Sequence, residues 1–101
     1  MENNTSGKIV VIVTYTLEPH RRNEFLHRWA AFDISGRSRS EEGCLRYDLS
    51  VPADRDDALY LIEYWDNATS QTLHRDTEHF RYLTALKNEF EVTTQADTFY
   101  M

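Results

Sequence analysis

The sequence predicts an α+β fold in which helices cover one face of an antiparallel sheet. Three patterns support this prediction. Residues 9–15 form a β-branched, almost wholly apolar run, and residues 19–34 carry apolar side chains at helical spacing. Residues 44–51 alternate between apolar and polar side chains, and after a short turn residues 58–65 form a second strand-like run rich in aliphatic and aromatic side chains. A period of two is typical of a half-buried strand, whereas spacings of three and four are typical of an amphipathic helix.

The first two elements are a strand and a helix. The run at residues 9–15 is too short to span a bilayer as a helix and predicts a strand buried on both faces. Pro19 suits the first turn of a helix, because its missing N–H is not needed there. The apolar stripe of that helix is Phe25, Leu26, Trp29 and Phe32. Residues 36–43 are polar and bracketed by glycine, so we expect a loop or a frayed helix end.

Residues 44–65 predict a β-hairpin with a turn at residues 52–57. One face of the first strand carries Leu45, Tyr47, Leu49 and Val51. The matching face of the second strand carries Leu59, Leu61, Glu63 and Trp65. A carboxylate is therefore expected among apolar neighbours.

Two helices and a strand complete the pattern. Asn67 is a suitable N-cap for a short helix that runs to His74, and Asp76 or Thr77 for the next helix. The stripe of that next helix is Phe80, Leu83, Leu86 or Lys87, and Phe90. Residues 90–101 predict a closing strand. The order β-α-β-β-α-α-β is the split βαβ, or ferredoxin-like, plan.

At 101 residues the chain has room for one domain. We assign it to residues 8–101, after a flexible polar tail at residues 1–7. Because the helices cover only one face of the sheet, the other face needs a different cover. The simplest one is the same face of a second copy, which predicts a homodimer through the sheet face.

Composition excludes several classes of function. The net charge of -6 disfavours binding to nucleic acid. The single cysteine, Cys44, excludes an internal disulfide and a cysteine-based zinc site. Residues 1–7 lack the order of a signal peptide, and no apolar run approaches the roughly 20 residues that span a bilayer. We therefore expect a cytoplasmic protein without a nucleic-acid or membrane partner.

Four sequence blocks carry a resemblance to a known family. They are Glu-Glu-Gly-Cys-Leu-Arg-Tyr-Asp at 41–48, Glu-Tyr-Trp-Asp at 63–66, the histidine at 74, and Glu-His-Phe at 78–80. Their succession resembles the antibiotic biosynthesis monooxygenase family over residues 8–100. The resemblance implies a dimeric α+β barrel, with a pocket in each subunit between the sheet and its own helices. Some members oxidise quinols or aromatic polyketides with O₂ and no bound cofactor, others degrade haem, and one branch isomerises a phosphorylated sugar.

The haem-degrading branch can be tested from the sequence. Its members are similar in topology but use an asparagine on the first strand, a tryptophan near the end of the short helix and a later histidine. The matching positions here hold Val13, His74 and Thr84. We therefore expect no haem and no other cofactor.

The predicted catalytic residues are His74, Glu63 and Tyr47. A histidine, with its ordinary pKa near 6.5, can act as a base at neutral pH, and a deprotonated phenol can reduce O₂ directly. The alternative for His74 is a helix-end residue that packs on Trp65. If Glu63 is buried, it either orients His74 or titrates with a raised pKa; the alternative is a position at the rim, paired with an arginine such as Arg46. The Tyr47 hydroxyl could donate to a substrate oxygen.

The predicted substrate-binding residues are Trp65, His79, Tyr60 and Phe80. The strand aromatics Trp65 and Tyr60 could form a stacking wall, or belong to the core or a dimer interface. His79 begins a helix, where an imidazolium is disfavoured, and it either lines the pocket mouth or packs beside Phe80.

No metal site is predicted. His20, Glu24 and His27 share a helix face at metal-ligand spacing, but that face is opposite the apolar stripe and no second element completes the coordination.

The function predicted from these residues is cofactor-independent oxidation of a small quinol or polycyclic phenol. Two alternatives stay open. An isomerase of a small polar carbonyl compound would have a pocket lined mainly by arginine and histidine. A non-catalytic dimeric binding module would have the space between sheet and helices filled by side chains.

Overall fold

The computed structural model describes residues 7–101, so the predicted tail lies outside the described residues except for Gly7. In chain order the elements are β1 (Ile9–Thr16), a 3-10 turn (Pro19–Arg21), α1 (Arg22–Ala31), α2 (Ile34–Arg39), β2 (Cys44–Ser50), β3 (Ala58–Trp65), α3 (Ala68–His74), α4 (Glu78–Glu89) and β4 (Thr93–Tyr100). The sheet order is β2-β3-β1-β4, and every neighbouring pair is antiparallel. The predicted α+β, ferredoxin-like fold is confirmed.

Only one face of β1 is buried in the single chain. Val11, Val13 and Tyr15 are at most 5% exposed, whereas Ile12 on the other face is 40% exposed. The prediction of a strand buried on both faces is therefore wrong for the chain by itself. The reason is that all the helices lie on the same side of the sheet, which we call the inner face. The opposite side is the outer face.

Aromatic side chains fill the space between α1 and the inner face. Phe25 is fully buried, and its ring packs edge-on against Tyr15 and Phe90, with centroid distances of 6.1 and 5.6 Å. Trp29 lies one turn further along and packs on Tyr15 and Tyr47. The predicted stripe therefore faces the core.

The first helix is shorter than predicted and a second one follows it. Asp33 adopts a left-handed conformation, with φ of 54°, and its side chain accepts a hydrogen bond from the N–H of Gly36. Aspartate tolerates this conformation better than most residues, and here it also caps α2. The predicted loop at residues 36–43 is thus partly helical. Ile34 and Ser38 are buried on α2.

A β-bulge changes the face of the sheet on which the first side chains of β2 lie. Cys44 pairs with Trp65 and Arg46 with Tyr64, so Leu45 is the extra residue. One inserted residue moves the preceding side chains to the other face. Leu45 is 53% exposed and does not share a face with Tyr47, which corrects the predicted alternation.

The caps of α3 and α4 are those predicted. The Asn67 side chain accepts from the N–H of Ser70 at 2.9 Å, and Thr77 Oγ1 accepts from the N–H of Phe80 at 3.2 Å. The closing strand β4 is shorter than residues 90–101 and is exposed along its whole length. The helices therefore leave the β4 side of the inner face open. Among the described helices, none has the length and apolar character needed to cross a bilayer.

Candidate active site

A cavity of about 140 Å³ lies between the inner face, α3 and α4. Its buried side chains include Tyr15, Tyr47, Glu63 and His74, and Thr94 of β4 stands on its exposed side. An engineered apolar cavity of about 150 Å³ in another protein holds benzene. The volume here therefore suits a single six-membered ring.

His74 is held by a carboxylate at the back of this cavity. Its ring is 3% exposed, and Nδ1 lies 2.6 Å from Oε2 of Glu41. A carboxylate only accepts hydrogen bonds, so Nδ1 carries the proton and Nε2 keeps its lone pair. Nε2 is buried and has no hydrogen-bond partner within residues 7–101. His74 is therefore held in the Nδ1-protonated tautomer, and its basic Nε2 is left without a hydrogen-bond partner.

Burial lowers the pKa of His74 below its ordinary value of 6.5. The cause is loss of hydration around the charged ring, and the hydrogen bond that His74 donates to Glu41 opposes it. The ring is therefore neutral at neutral pH, which is the protonation state that a base requires.

His79 shares the same carboxylate oxygen. Its Nε2 also lies 2.6 Å from Oε2 of Glu41. The three donor atoms lie within 4.8 Å of one another, and two imidazoles with a carboxylate form a ligand set that zinc accepts. However, the carboxylate oxygen lies at hydrogen-bond distance, 2.6 Å, from a nitrogen of each ring. The cluster as it stands is hydrogen-bonded.

The loop before β2 brings Glu41 to this position. Gly43 has φ of 87°, and a Cβ atom there would overlap Ser70 Oγ and Asp66 Oδ1. The carbonyl of Gly43 accepts from the N–H of Asp66 at 2.8 Å, which ties the loop to the end of β3. Glycine is required here both by the backbone angle and by the close approach. The Glu-Glu-Gly-Cys block therefore positions a carboxylate beside the end of α3.

Glu63 is buried in the cavity wall, but it forms no hydrogen bond with His74. Its Oε1 accepts a hydrogen bond from Trp65 Nε1 at 2.9 Å. Burial raises its pKa above the ordinary value of 4.5. The carboxylate that orients His74 is Glu41, and Arg46 pairs with Asp48 rather than with Glu63.

The raised pKa of Glu63 predicts a pH-dependent effect of Glu63→Gln on stability. A carboxyl whose pKa is higher in the folded state stabilises the fold below its ordinary pKa, and this contribution is lost as the pH rises. We expect Glu63→Gln to melt at a higher temperature than the wild type at about pH 7, and this gain to vanish near pH 4. Thermal unfolding followed by circular dichroism measures both, with exposed Glu42→Gln as the control. An equal gain at both pH values would contradict the prediction.

The other predicted site residues divide into two groups. Tyr47 and Phe80 line the cavity, with ring centroids 5.3 and 5.2 Å from that of His74. Burial raises the pKa of Tyr47, so its phenol stays protonated. Trp65 packs on the His74 ring at 4.9 Å but is fully buried behind it. Tyr60 pairs with Thr14 and Ser50 and lies on the outer face, away from the cavity.

Two other features do not compete with this cavity. A shallow depression of about 530 Å³ lies over the β2–β3 loop, but it contains no buried titratable side chain. Burial raises the pKa of Cys44 to about 11, so its sulfur remains a thiol rather than a nucleophilic thiolate.

Sequence reasoning did not select Glu41 as a site residue, nor Tyr15 as part of the cavity wall. Glu41 was visible only as the first letter of the 41–48 block. Its role depends on a contact across 33 residues of chain, which spacing alone does not reveal.

Comparison with known proteins agrees with this architecture. The family model described as antibiotic biosynthesis monooxygenase matches residues 8–85. No curated protein matches the chain. A solved protein from Pseudomonas aeruginosa is 26% identical, with a TM-score of 0.83 and 98% of each chain covered.

Two further structures share the fold. A Bacteroides thetaiotaomicron protein of unknown function, described as a possible oxidoreductase, is 24% identical, with a TM-score of 0.85 over 95% of this chain and 99% of the other. A Caulobacter crescentus protein provisionally named an antibiotic biosynthesis monooxygenase is 19% identical, with a TM-score of 0.85 over 97% of this chain and 92% of the other. Since the family model covers most of the sequence, this chain belongs to the antibiotic biosynthesis monooxygenase family, which supports a general monooxygenase-like role.

Proposed function

We propose that this protein is a cofactor-independent monooxygenase that oxidises a small, single-ring quinol with O₂. The observation that carries the proposal is the arrangement of His74. Its Nδ1 is fixed by Glu41 at 2.6 Å, while its unpartnered Nε2 belongs to a ring that lines the cavity. A neutral imidazole held in one tautomer beside a ring-sized hollow is suited to take a proton from a phenol.

The proposed reaction begins with transfer of a quinol O–H proton to Nε2 of His74. The resulting phenolate transfers electron density to O₂, and a C–O bond forms at the neighbouring ring carbon. The His74 imidazolium returns its proton to the terminal oxygen of the peroxide. The ring C–H is then lost as the O–O bond breaks, which gives a new carbonyl and releases water. In total, a quinol and O₂ become a hydroxyquinone and water.

The sequence predicted a small quinol or a polycyclic phenol as the substrate. The size of the cavity supports the small quinol better than the polycyclic phenol. At about 140 Å³ it lies below the 300–1,000 Å³ of typical drug-sized pockets. Besides His74, the six-membered rings of Tyr15, Tyr47 and Phe80 line it, together with aliphatic side chains. Tyr47 would donate its phenolic proton to the second substrate oxygen, and His79 would hold Glu41 in place.

The proposed active form is a homodimer through the outer face. Apolar side chains on this face are exposed in the single chain, including Ile12, Leu45 and Tyr64. Covering them with a second copy would remove this apolar surface from water. Sedimentation equilibrium tests the proposal, and a monomer at micromolar concentration would contradict it.

The proposed reaction is tested by O₂ consumption with a panel of increasing size. We expect uptake above the uncatalysed rate with methylhydroquinone, and much less with a three-ring anthrone. The exposed variant His20→Ala is the matched histidine control and should behave as the wild type. Absence of enzyme-dependent uptake with every quinol of the panel would count against the proposal.

The isomerase remains a second candidate because cations stand at the cavity entrance. Arg75 and Lys87 line this side and would suit a negatively charged carbonyl compound. Proton exchange into solvent deuterium without O₂ consumption would favour it. A non-catalytic module is less well supported, because the space between sheet and helices is not filled.

A further inference from the structure

Two cations at the entrance of the cavity have no acidic partner in the described part of the chain. Arg75 directly follows α3, and Lys87 lies in the last turn of α4. Both line the cavity. Within residues 7–101, no carboxylate oxygen lies within 4.0 Å of a charged nitrogen of either side chain.

The eight other arginines each have an acidic or backbone partner. Four lie within 3.4 Å of an aspartate or glutamate, namely Arg28, Arg39, Arg46 and Arg55. The other four donate to backbone carbonyl oxygens, namely Arg21, Arg22, Arg37 and Arg81. Within residues 7–101, the side chains of Arg75 and Lys87 have neither kind of partner. Acidic residues outnumber basic ones by 17 to 11, so partners are plentiful. Two unpaired cations beside one hollow therefore need an explanation other than a shortage of acids.

Lys87 is the more informative of the two. It is half-buried, and its ammonium lies 5.4 Å from the ring centroid of Tyr15 in the cavity wall. Partial loss of hydration lowers its pKa, and the charge of Glu63 only partly opposes this effect. Glu63 does not pair with it, because neither Glu63 oxygen lies within 4.0 Å of the ammonium nitrogen. A half-buried ammonium without a partner is costly unless an anion binds there.

We propose that the substrate of this site carries an anionic substituent, such as a carboxylate, which binds between Arg75 and Lys87 while its single ring occupies the cavity. The quinol part of this assignment rests on the proposed function, whereas the anion-binding part does not. Guanidinium and ammonium groups both donate to carboxylate oxygens, and such charge-assisted hydrogen bonds are about twice as strong as neutral ones. A carboxylated hydroquinone is the substrate class that matches both the ring-sized interior and the charged entrance.

The experiment compares two matched ligands without oxygen, so that no turnover is needed. The probes are 2,5-dihydroxybenzoate and hydroquinone, which differ by one carboxylate. Their affinities are measured by anaerobic titration calorimetry. We expect the carboxylated ligand to bind about 10-fold more tightly or better, and Arg75→Gln with Lys87→Gln to remove that preference.

The control is Arg81→Gln, which removes a positive charge from an exposed α4 residue outside the cavity lining. It should keep the preference for the carboxylated ligand. Equal affinity for the two ligands, no binding of 2,5-dihydroxybenzoate at millimolar concentration, or equal losses in the Arg81 control would overturn the inference. Preference for the carboxylate without any aerobic O₂ uptake would instead support the inference and contradict the proposed oxidation. Oxidation of both ligands, bound with equal affinity, would support the proposed oxidation and contradict the inference of an anion-binding entrance.

Discussion

Replacing His74 by alanine is expected to lower kcat/KM for quinol oxidation by about 10²–10⁴-fold, the usual contribution of a positioned general base. The reason is that no other basic nitrogen in the described cavity lining is both neutral and free of hydrogen bonds. Steady-state O₂ uptake measures the change. Unchanged melting temperature in the variant would show that the loss is not one of folding.

The pH profile separates a base from a packing residue. Since burial lowers the pKa of His74, kcat/KM should stay level at neutral pH and fall only as the pH drops below 6.5. Glu41 raises that pKa, so Glu41→Gln should move the acid limb to lower pH as well as reduce the plateau. If Glu41→Gln lowers the neutral-pH value of kcat/KM but does not move the acid limb of its pH profile, then Glu41 serves only as a packing residue. His74→Ala with full activity would remove the proposed base altogether.

Replacing Gly43 by alanine is expected to affect both folding and the site. A non-glycine residue in a left-handed conformation costs about 1–3 kcal/mol, and the new methyl group also overlaps Ser70 and Asp66. We expect the free energy of unfolding to fall by at least this amount in urea titrations. Because the same loop carries Glu41, the acid limb of the pH profile should shift in the direction expected for Glu41→Gln.

The neighbouring residue provides the control for this prediction. Glu42 is exposed and adjacent to Gly43, so Glu42→Ala changes the same loop without the backbone strain. It should leave both stability and the pH profile almost unchanged. If Gly43→Ala were as mild as Glu42→Ala, then the loop would not be fixed by the left-handed glycine.

The strands and helix caps could be predicted because their signals are local. Alternation places Leu59, Leu61, Glu63 and Trp65 on one face of β3, and all four are buried. Asn67 and Thr77 cap the helices that follow them because side-chain oxygens there reach the nearest unsatisfied N–H groups. Strand alternation and helix capping each depend on only a few neighbouring residues, so both can be predicted from the sequence.

Two local features were mispredicted because their signals are weak or depend on pairing. The break between α1 and α2 depends on one left-handed aspartate, a conformation that the residue tolerates but does not require. The bulge at Leu45 appears only when β2 is paired with β3. A period-two pattern assumes regular pairing and so assigns Leu45 to the wrong face.

The sequence by itself determined the sheet, the helix order, the inward position of Glu63 and the family. It also proposed His74 as the base, from its place in the family-like blocks and from the ordinary pKa of histidine, and that role stays a prediction. Only the tertiary structure decided that Glu41, and not Glu63, hydrogen-bonds to His74, and that His79 shares the same oxygen. The physical reason is that hydrogen bonding between side chains 33 and 38 residues apart depends on where the loop before β2 crosses α3 and α4. The position of that loop is set by packing and by the left-handed Gly43. Neither produces a periodic pattern in the sequence.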